Sequence, residues 1–412
     1  MRVAEHIFVL EGALRSACYD TKKGLCWPLS SGELRLLTQL ASGEQPKTSG
    51  LTGGEALKLM ISMRNRGWLV AGSPRVKDLS LSFAPGSNPP SRLNHVWLEL
   101  TQSCNLTCVH CYANSGPTVN RSNELSPHEW AAIVQPLVDY GVDIITFIGG
   151  EPTIRLDVAE VIAKLVREKS PQTRLRMFSN FAVPSRTQAL VSFVKNYGVE
   201  IGTAVYGITS ESHDRMTGIN GSFIRTLQLI DEMKKSGVDV FVGMYVDLSE
   251  PIMEKRCNDW LRSIGVNKFE VIAPSQVGRG AIKVWRNLKS RNSNKKILSF
   301  TSRHLSQAKN GHNCFLDHFV IKPNGDLSPC IMMRDIHYGN IKSLSIKDVL
   351  NTVEYKEAAA LSKDAIDGCS SCEFRYACFD CRPDAMGGLN DVTKKPACGY
   401  DPRLPIGVEL ND

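Results

Sequence analysis

Ten of the thirteen cysteines fall into two groups, and this grouping constrains the chain more than any other feature of its sequence. One group has the spacing CxxxCxxC, and the other spreads over the last quarter of the chain: Cys104, Cys108, Cys111 and then Cys314, Cys330, Cys369, Cys372, Cys378, Cys381, Cys398. The N-terminus MRVAEHIFVL carries Glu5, unlike the uncharged apolar stretch of a signal peptide. In reducing cytosol, thiols stay free and serve metal binding or catalysis. We therefore expect a cytoplasmic protein whose grouped thiolates bind metal.

Length and charge exclude several other classes of protein. A chain of 412 residues predicts two to four domains, and 42% hydrophobic with 22% charged residues is typical of globular proteins. No apolar run approaches the roughly 20 residues of a membrane span. The net charge of +7 comes from 49 basic and 42 acidic residues and is not concentrated in one segment. We therefore expect neither a membrane nor a nucleic acid as partner.

The pattern of apolar residues divides the chain into four parts. Residues 1–85 show short strands around two helices, predicted at 31–40 and 54–66, which favours a winged-helix-like domain. Residues 86–93 belong to a stretch rich in Pro and Ser and form a predicted linker. From 94 to 290, apolar strands alternate with amphipathic helices. Residues 291–412 have too little apolar patterning to form a core alone, and we expect metal to hold them together.

The alternating region predicts an α/β fold with a partial (β/α)6 TIM-like barrel. Its strands are predicted at 96–100, 144–148, 175–179, 202–206, 238–246 and 269–273. The intervening helices are predicted at 127–140, 158–169, 187–196, 223–236 and 252–264. Motifs that follow the strands should converge, because the C-terminal ends of parallel strands share one face of the sheet.

The first barrel strand leads into the sequence CNLTCVHCYA. Thiolates of Cys104, Cys108 and Cys111 can hold three irons of a [4Fe–4S] cluster and leave the fourth iron without a protein ligand. A zinc knuckle is the alternative, although structural zinc takes four protein ligands and usually CxxC pairs. We expect His110, inside the motif, to pack against the cluster or face solvent.

Together with Gly-Gly-Glu-Pro at the end of the next strand, this motif resembles the radical S-adenosylmethionine (SAM) superfamily. The resemblance implies that the open iron binds the amino and carboxylate groups of SAM. It further implies that Glu151 faces the amino group, that Ser179 and Asn180 contact the ribose, and that Arg279 contacts the SAM carboxylate or the substrate. The implied cofactor-binding residues are Gly149, Gly150, Glu151, Pro152, Ser179, Asn180 and Arg279. Ordinary turns are the alternative for the GGEP and Ser179-Asn180 segments.

The C-terminal cysteines lie in CFLDHFVIKPNGDLSPC, CSSCEFRYACFDC and PAC, which are similar to the SPASM extension of radical SAM enzymes. The resemblance implies two auxiliary [4Fe–4S] clusters, and so three clusters in all. Cys314, Cys330 and Cys381 would hold the first auxiliary cluster, and Cys369, Cys372, Cys378 and Cys398 the second. Cys378 and Cys381 are spaced CxxC where the family has CxxxC, and the family's additional upstream cysteine is absent. The first auxiliary cluster is therefore expected to lack one protein ligand, with zinc as the alternative occupant of the CxxC pairs.

The N-terminal region and the EFRYACFDCRPDA segment resemble maturases of ribosomally synthesised peptides (RiPPs), including those associated with ATP-grasp ligases. The resemblance implies reductive cleavage of SAM to a 5′-deoxyadenosyl radical, which leads to an intramolecular crosslink, either a thioether or a side-chain carbon bond. The implied partners are a precursor peptide bound through its leader, an electron donor such as ferredoxin or flavodoxin, and an ATP-grasp ligase. The sequence indicates no further catalytic residue.

Three alternatives remain open at this point. The same chemistry could oxidise a protein Cys or Ser, as in sulfatase maturases, or act on a small molecule. The chain could also be a non-enzymatic adaptor stabilised by zinc.

Overall fold

The computed structural model of the chain describes residues 1–45, 52–81, 90, 92–281, 297–379, 381–386, 391–394, 398 and 400–405. Most of the predicted linker 86–93 lies outside these residues. None of the described helices is long and apolar enough to cross a membrane.

The N-terminal region combines short antiparallel strands with two helices. The strands are β1 (Arg2–Val3), β2 (Ile7–Glu11), β3 (Ser16–Asp20), β4 (Leu25–Leu29) and β5 (Leu69–Val70), and the helices are α1 (Ser31–Ala41) and α2 (Gly53–Asn65). Each helix begins at a capping box, Ser30 with Glu33 and Thr52 with Glu55. These boxes satisfy backbone N–H groups that a helix start leaves free, which explains why both helices begin within one residue of their predicted starts.

Six parallel strands form the predicted partial barrel. They are β6 (Leu93–Glu99), β7 (Val142–Ile148), β8 (Arg174–Phe178), β9 (Glu200–Val205), β10 (Val240–Tyr245) and β11 (Lys268–Ile272), and they pair in this order. The helices are α3 (Pro127–Tyr140), α4 (Leu156–Lys169), α5 (Thr187–Tyr197), α6 (Ser210–Thr217), α7 (Ser222–Lys235) and α8 (Pro251–Ser263). The α/β prediction is confirmed, and only α6 was not predicted.

The helices cover the barrel with apolar faces that share one core with its strands. Trp130 of α3 and Phe147 of β7 are both fully buried in this core. Burying a large side chain contributes about 2–3 kcal/mol, so the amphipathic pattern alone accounts for much of the stability of this layer.

One helix start differs from the sequence expectation. Helix α7 begins at Ser222, one residue before its predicted start at 223. The carboxylate of Asp214 accepts hydrogen bonds from the N–H groups of Gly221 and Phe223 and from the Ser222 hydroxyl. Asp214 therefore caps α7 from the preceding helix, an arrangement that local sequence spacing does not indicate.

The C-terminal region extends the barrel sheet. Its elements are β12 (Leu298–Ser299), α9 (Ser302–Asn310), β13 (His318–Ile321), β14 (Asp326–Ser328), β15 (Gly339–Asn340), α10 (Ile346–Val349), α11 (Val353–Ala360) and α12 (Arg382–Ala385). Strand β13 pairs in parallel with β6, and β14 and β15 continue the sheet to nine strands. The sequence analysis did not predict these strands, because they are only two to four residues long.

Two contacts tie the C-terminal region to the rest of the chain. Arg334 donates to both carboxylate oxygens of the fully buried Glu99 at the end of β6, at 2.9 and 3.1 Å. Strand β12 pairs with β4, so a segment that follows the barrel completes the N-terminal sheet in the order β12-β4-β3-β2. The N-terminal and C-terminal regions are therefore joined directly by backbone hydrogen bonds.

Candidate active site

The CxxxCxxC cysteines lie in the loop that follows β6, at the C-terminal face of the barrel. The sulfur of Cys104 accepts a hydrogen bond from the Leu106 N–H at 3.4 Å, and that of Cys111 accepts one from the Ser115 N–H at 3.4 Å. Burial, with a smaller contribution from neighbouring cysteines, raises the pKa of the Cys104 and Cys108 thiols to about 12. Such thiols ionise when a metal binds them. Thiolates that accept N–H bonds are the usual ligands of iron–sulfur clusters, so this donor set fits a cluster.

The GGEP segment at the end of β7 packs directly against the same loop. The Gly150 N–H donates to the Thr101 carbonyl at 2.8 Å, and the Glu151 N–H donates to the Ser103 carbonyl at 2.9 Å. A Cβ at Gly149 would lie 2.4 Å from the Thr101 oxygen, and one at Gly150 would lie 2.3 Å from the Ser103 oxygen. Both positions therefore require glycine, which argues against an ordinary turn here.

Glu151 is fully buried behind this contact. Its carboxylate accepts hydrogen bonds from the N–H and hydroxyl of Thr153, the hydroxyl of Ser179 and the N–H of Asn180. Burial raises its pKa, and these bonds oppose the shift. The observed contacts of Glu151 thus join the ends of β7 and β8, a positioning role that the sequence analysis did not anticipate. Pro152 is likewise buried and begins a short 3-10 turn.

Asn180 and Arg279 hold the cluster loop from two further strand ends. The Asn180 side-chain amide lies 3.6 Å from the Cys104 sulfur and donates to Asn105 at 2.8 Å. Arg279, after β11, donates from Nε to the Cys108 carbonyl at 2.8 Å and from one terminal nitrogen to the Ser115 carbonyl at 2.9 Å. Arg279 therefore clamps the loop, and its contact with SAM or substrate stays a prediction.

A cavity of about 330 Å³ opens beside the loop. Its wall includes most of the predicted site: Cys104, Cys108, Cys111, Gly149, Gly150, Ser179, Asn180 and Arg279. It also includes residues that the sequence analysis did not select: Trp97, Tyr112, Tyr206, Tyr245, Ile331 and Met332. Tyr206 and Tyr245 could have been selected from the sequence, because they lie at or just after the ends of predicted strands. Ile331 and Met332 could not, because the fold of the C-terminal region brings them to the cavity.

Several polar groups in this wall are buried without a partner in the described part of the chain: the Trp97 indole N–H, the His110 Nδ1, the Tyr112 hydroxyl and the Ser115 hydroxyl. Buried polar groups are normally hydrogen-bonded, so this cluster indicates a polar ligand. His110 packs against Tyr206 with ring centroids 4.4 Å apart, and burial lowers its pKa to about 4. His110 is therefore neutral and lies against the cavity, and its packing against the cluster stays a prediction.

The C-terminal cysteines form two groups in space. Burial raises the pKa of Cys381, and the nearby Asp384, Cys330 and Cys314 add to this shift. Burial likewise raises the pKa of Cys372 to about 12, with further contributions from Glu373, Cys378 and Cys369. The structure thus brings together three cysteines of each predicted auxiliary set.

Within the described residues, no three His, Cys, Asp or Glu side chains are arranged as ligands of a single metal ion. A four-iron cluster is larger than one ion, and each cysteine thiolate binds a different iron.

Comparison with known families decides the type of site. Residues 98–255 match the family described as the Radical SAM superfamily, and residues 314–373 match SPASM, an iron–sulfur cluster-binding domain. The chain contains a radical SAM domain and a SPASM domain. The first match spans the three loop cysteines and the GGEP segment, and the second spans Cys314 to Cys372. Both matched regions are typical of radical SAM enzymes, and these families imply SAM and [4Fe–4S] clusters as cofactors.

Curated relatives of the chain differ in activity. It is 35% identical to an Fe-coproporphyrin III synthase of Methanosarcina barkeri over 35% of each chain. It is 31% identical to the sporulation killing factor maturation protein SkfB of Bacillus subtilis over 37% of this chain and 35% of that protein. It is 23% identical to the subtilosin biosynthesis protein AlbA of Bacillus subtilis over 76% of this chain and 72% of that protein. The chain thus spans about a third of the length of the first two.

Solved structures share the fold of the chain. Streptococcus suis SuiB, bound to the precursor peptide SuiA, superposes with a TM-score of 0.57 at 14% identity and covers 97% of this chain and 100% of its own. The protein anSMEcpe with bound SAM superposes with a TM-score of 0.57 at 16% identity and covers 74% of this chain and 93% of its own. The similarity to SuiB extends over the N-terminal region as well as the barrel.

Proposed function

We propose that the chain is a radical SAM peptide maturase that installs an intramolecular crosslink, a thioether or a side-chain carbon bond, in a ribosomally synthesised precursor peptide. The observation that carries this proposal is the shared cavity. The CxxxCxxC loop forms one side of it, and Ile331 and Met332, directly after the auxiliary ligand Cys330, form another. A substrate in this cavity would be next to both cluster sites. SkfB, AlbA and SuiB support a peptide as this substrate.

Residues of the chain position the cofactors in this proposal. Cys104, Cys108 and Cys111 would hold the first cluster, and the Gly149-Gly150 backbone would face the SAM amino group. The polar atoms of His110 and Ser115 remain available to the same ligand. When bound, the cluster and SAM supply a 5′-deoxyadenosyl radical that removes a hydrogen atom from carbon. The cavity walls orient the target carbon and exclude water.

The substrate side of the cavity is mostly apolar. Tyr245, Pro274, Ile331 and Met332 line it, and Arg279 is the one Arg or Lys in the described lining, which contains no carboxylate. Burying an unpaired charge there would be costly, so we expect the reacting side chain to be uncharged. An aliphatic, aromatic or Cys side chain meets this condition.

Leader recognition falls to residues 1–85. Within the described residues, β12 pairs with β4 at Leu25 and Cys26. An edge of this N-terminal sheet is the proposed position for the leader as an added strand. Helix α2 presents two exposed apolar side chains one turn apart, Leu57 at 58% and Ile61 at 50% exposure. Leu57 and Ile61 offer apolar side chains of the leader a contact surface on α2.

The auxiliary sites complete the proposal. Three [4Fe–4S] clusters are proposed, with the ligand sets predicted from the sequence. The first auxiliary set of Cys314, Cys330 and Cys381 leaves one iron to bind a substrate thiolate. A ferredoxin or flavodoxin would supply electrons, and an ATP-grasp ligase would act on the same peptide.

Incubation with a candidate peptide tests the proposal. Peptides encoded by small open reading frames beside the gene should lose two hydrogens per crosslink in the presence of SAM and dithionite, as measured by mass spectrometry. Fragmentation should be blocked between the joined residues. A product that instead reacts with a hydrazide would carry an aldehyde and would favour the sulfatase-maturase-like oxidation of Cys or Ser. Turnover of a porphyrin or another small molecule, with no peptide modified, would contradict the proposal.

A further inference from the structure

The N-terminal sheet packs directly on the cysteine-rich C-terminal segment. One face of this sheet forms a buried cluster with the C-terminal segment. The sheet contributes Ala17, Tyr19 and Cys26, and the segment contributes Phe374, Tyr376 and Ala377. Cys372 packs against this cluster. The opposite face, with Val9 and Cys18, packs in a separate cluster with α1. The strands within residues 1–29 therefore lie between helix α1 and the segment that carries Cys369, Cys372 and Cys378.

Glu373 lies at the centre of this contact. It follows Cys372 directly and is only 1% exposed. Nε of Arg15 lies 3.3 Å from its carboxylate oxygen Oε1, and the Tyr400 hydroxyl bonds to the same oxygen. The Tyr19 hydroxyl donates to the Glu373 carbonyl at 3.0 Å. Glu373, next to a cluster cysteine, is thus held at its carboxylate by Arg15 and Tyr400 and at its backbone carbonyl by Tyr19.

The turn between β2 and β3 holds the other side of the same loop. The Ala13 N–H donates to the carbonyl of Ser371, which lies between Cys369 and Cys372, at 2.8 Å. A Cβ at Gly12 would lie 2.8 Å from both the Ser371 oxygen and the Glu373 nitrogen. Glycine is therefore needed at position 12 for the turn to approach this closely. Arg375 donates to the Glu11 carbonyl at 3.3 Å and closes the contact.

We propose that Glu373, held by Arg15 and Tyr19, is a positioning residue that sets the reduction potential of the second auxiliary cluster. The net charge and hydrogen bonding around a cluster set its potential, and a nearby negative charge disfavours the added electron. The buried Glu373 carboxylate lowers the potential, and the Arg15 guanidinium offsets part of this effect. The first region of the chain is thus part of the second auxiliary site. This inference rests on the assignment of that cluster in the proposed function.

The first experiment compares Glu373→Gln with Glu354→Gln, an exposed carboxylate at the start of α11. EPR-monitored redox titration of the reconstituted full-length protein should show a more positive potential for the second auxiliary cluster in E373Q. The other clusters, and every cluster in E354Q, should keep the wild-type potential. An unchanged potential in E373Q, with about twelve irons bound, would overturn the proposal and leave the proposed function intact. An iron content that stays unchanged when Cys369, Cys372 and Cys378 are replaced with Ala would remove the second auxiliary cluster itself and overturn both the proposal and that assignment.

The second experiment separates charge from packing. Arg15→Gln should shift the same potential in the negative direction, opposite to E373Q, and Arg15→Lys should return it towards the wild-type value. If the variants acted through a loss of packing, the potential would shift in the same direction in E373Q and R15Q. Shifts of equal sign, or no shift in R15Q, would therefore contradict a role for Arg15 and overturn the proposal.

Discussion

The side-chain amide of Asn180 lies 3.6 Å from the sulfur of Cys104, so the end of the third barrel strand contacts the cluster loop directly. Hydrogen bonds to cluster sulfurs stabilise the reduced state and help to set the potential. We expect Asn180→Ala to lower the potential of the SAM-binding cluster and to slow SAM cleavage about fivefold, which corresponds to about 1 kcal/mol for one hydrogen bond. EPR titration and the rate of 5′-deoxyadenosine release measure the two effects.

The exposed Asn196 on α5 supplies the control for this variant. Asn196→Ala should keep the wild-type potential and rate. If N180A also keeps them, the contact with Cys104 has no functional role.

Close backbone packing at Gly150 makes a second prediction. Because a Cβ there would lie 2.3 Å from the Ser103 oxygen, Gly150→Ala must displace the cluster loop. We expect a cost of about 1–3 kcal/mol in unfolding free energy and loss of SAM binding, measured by thermal denaturation and isothermal calorimetry.

Gly54 in α2 is the matched control, since nothing lies within 4 Å of a Cβ at that position. Gly54→Ala should be neutral or stabilise by up to about 1 kcal/mol. Equal behaviour of the two alanine variants would contradict the packing argument.

The barrel and the cluster loop could be predicted from the sequence because both are local patterns. Strand and helix alternation gave β6 to β11, and the spacing of Cys104, Cys108 and Cys111 gave the loop. The capping of α7 by Asp214, the pairing of β13 with β6 and the approach of the β2–β3 turn to Ser371 could not be predicted. Each depends on residues brought together by the fold, and β13 is too short for its periodicity to be recognised.

Iron content makes a third prediction. The reconstituted protein should bind about twelve irons, and replacing Cys104, Cys108 and Cys111 with Ala should remove about four of them and abolish SAM cleavage. The isolated, buried Cys257 provides the control, since Cys257→Ala should keep all irons. Zinc in place of iron in anaerobically purified protein would contradict the cluster assignment.

Leader binding can be tested without removing the N-terminal region. Deletion of residues 1–85, the obvious test from sequence alone, would expose the apolar face that packs on Phe374 and Tyr376. Replacing the exposed Leu57 and Ile61 with Asp avoids this damage. We expect the double variant to weaken binding of the full-length peptide about tenfold, consistent with about 1.4 kcal/mol, while uncoupled SAM cleavage stays unchanged.

Ile224 on α7 is equally exposed and lies outside the N-terminal region, so Ile224→Asp serves as the control. Fluorescence anisotropy of a labelled peptide gives the affinities. Unchanged affinity in the double variant would remove α2 from the leader site.

A pair of histidines between β6 and β13, the buried His318 and the partly buried His95, predicts sensitivity to acid. Burial lowers the pKa of His318 to about 4, and burial together with His318 lowers that of His95 to about 2. An unfolded histidine has a pKa of about 6.5, so between pH 6.5 and 4 the unfolded chain binds more protons and stability falls as pH falls. Above pH 6.5 the pair adds no pH dependence. His318→Leu should therefore remove about 1.4 kcal/mol of this loss of stability at pH 5.5, one pH unit below the unfolded pKa. Denaturant titrations at pH 7.5, 6.5 and 5.5 measure the free energy of unfolding, with a variant of the exposed His128, His128→Gln, as the control. Parallel losses of stability in the wild type and H318L would show that His318 does not carry the effect.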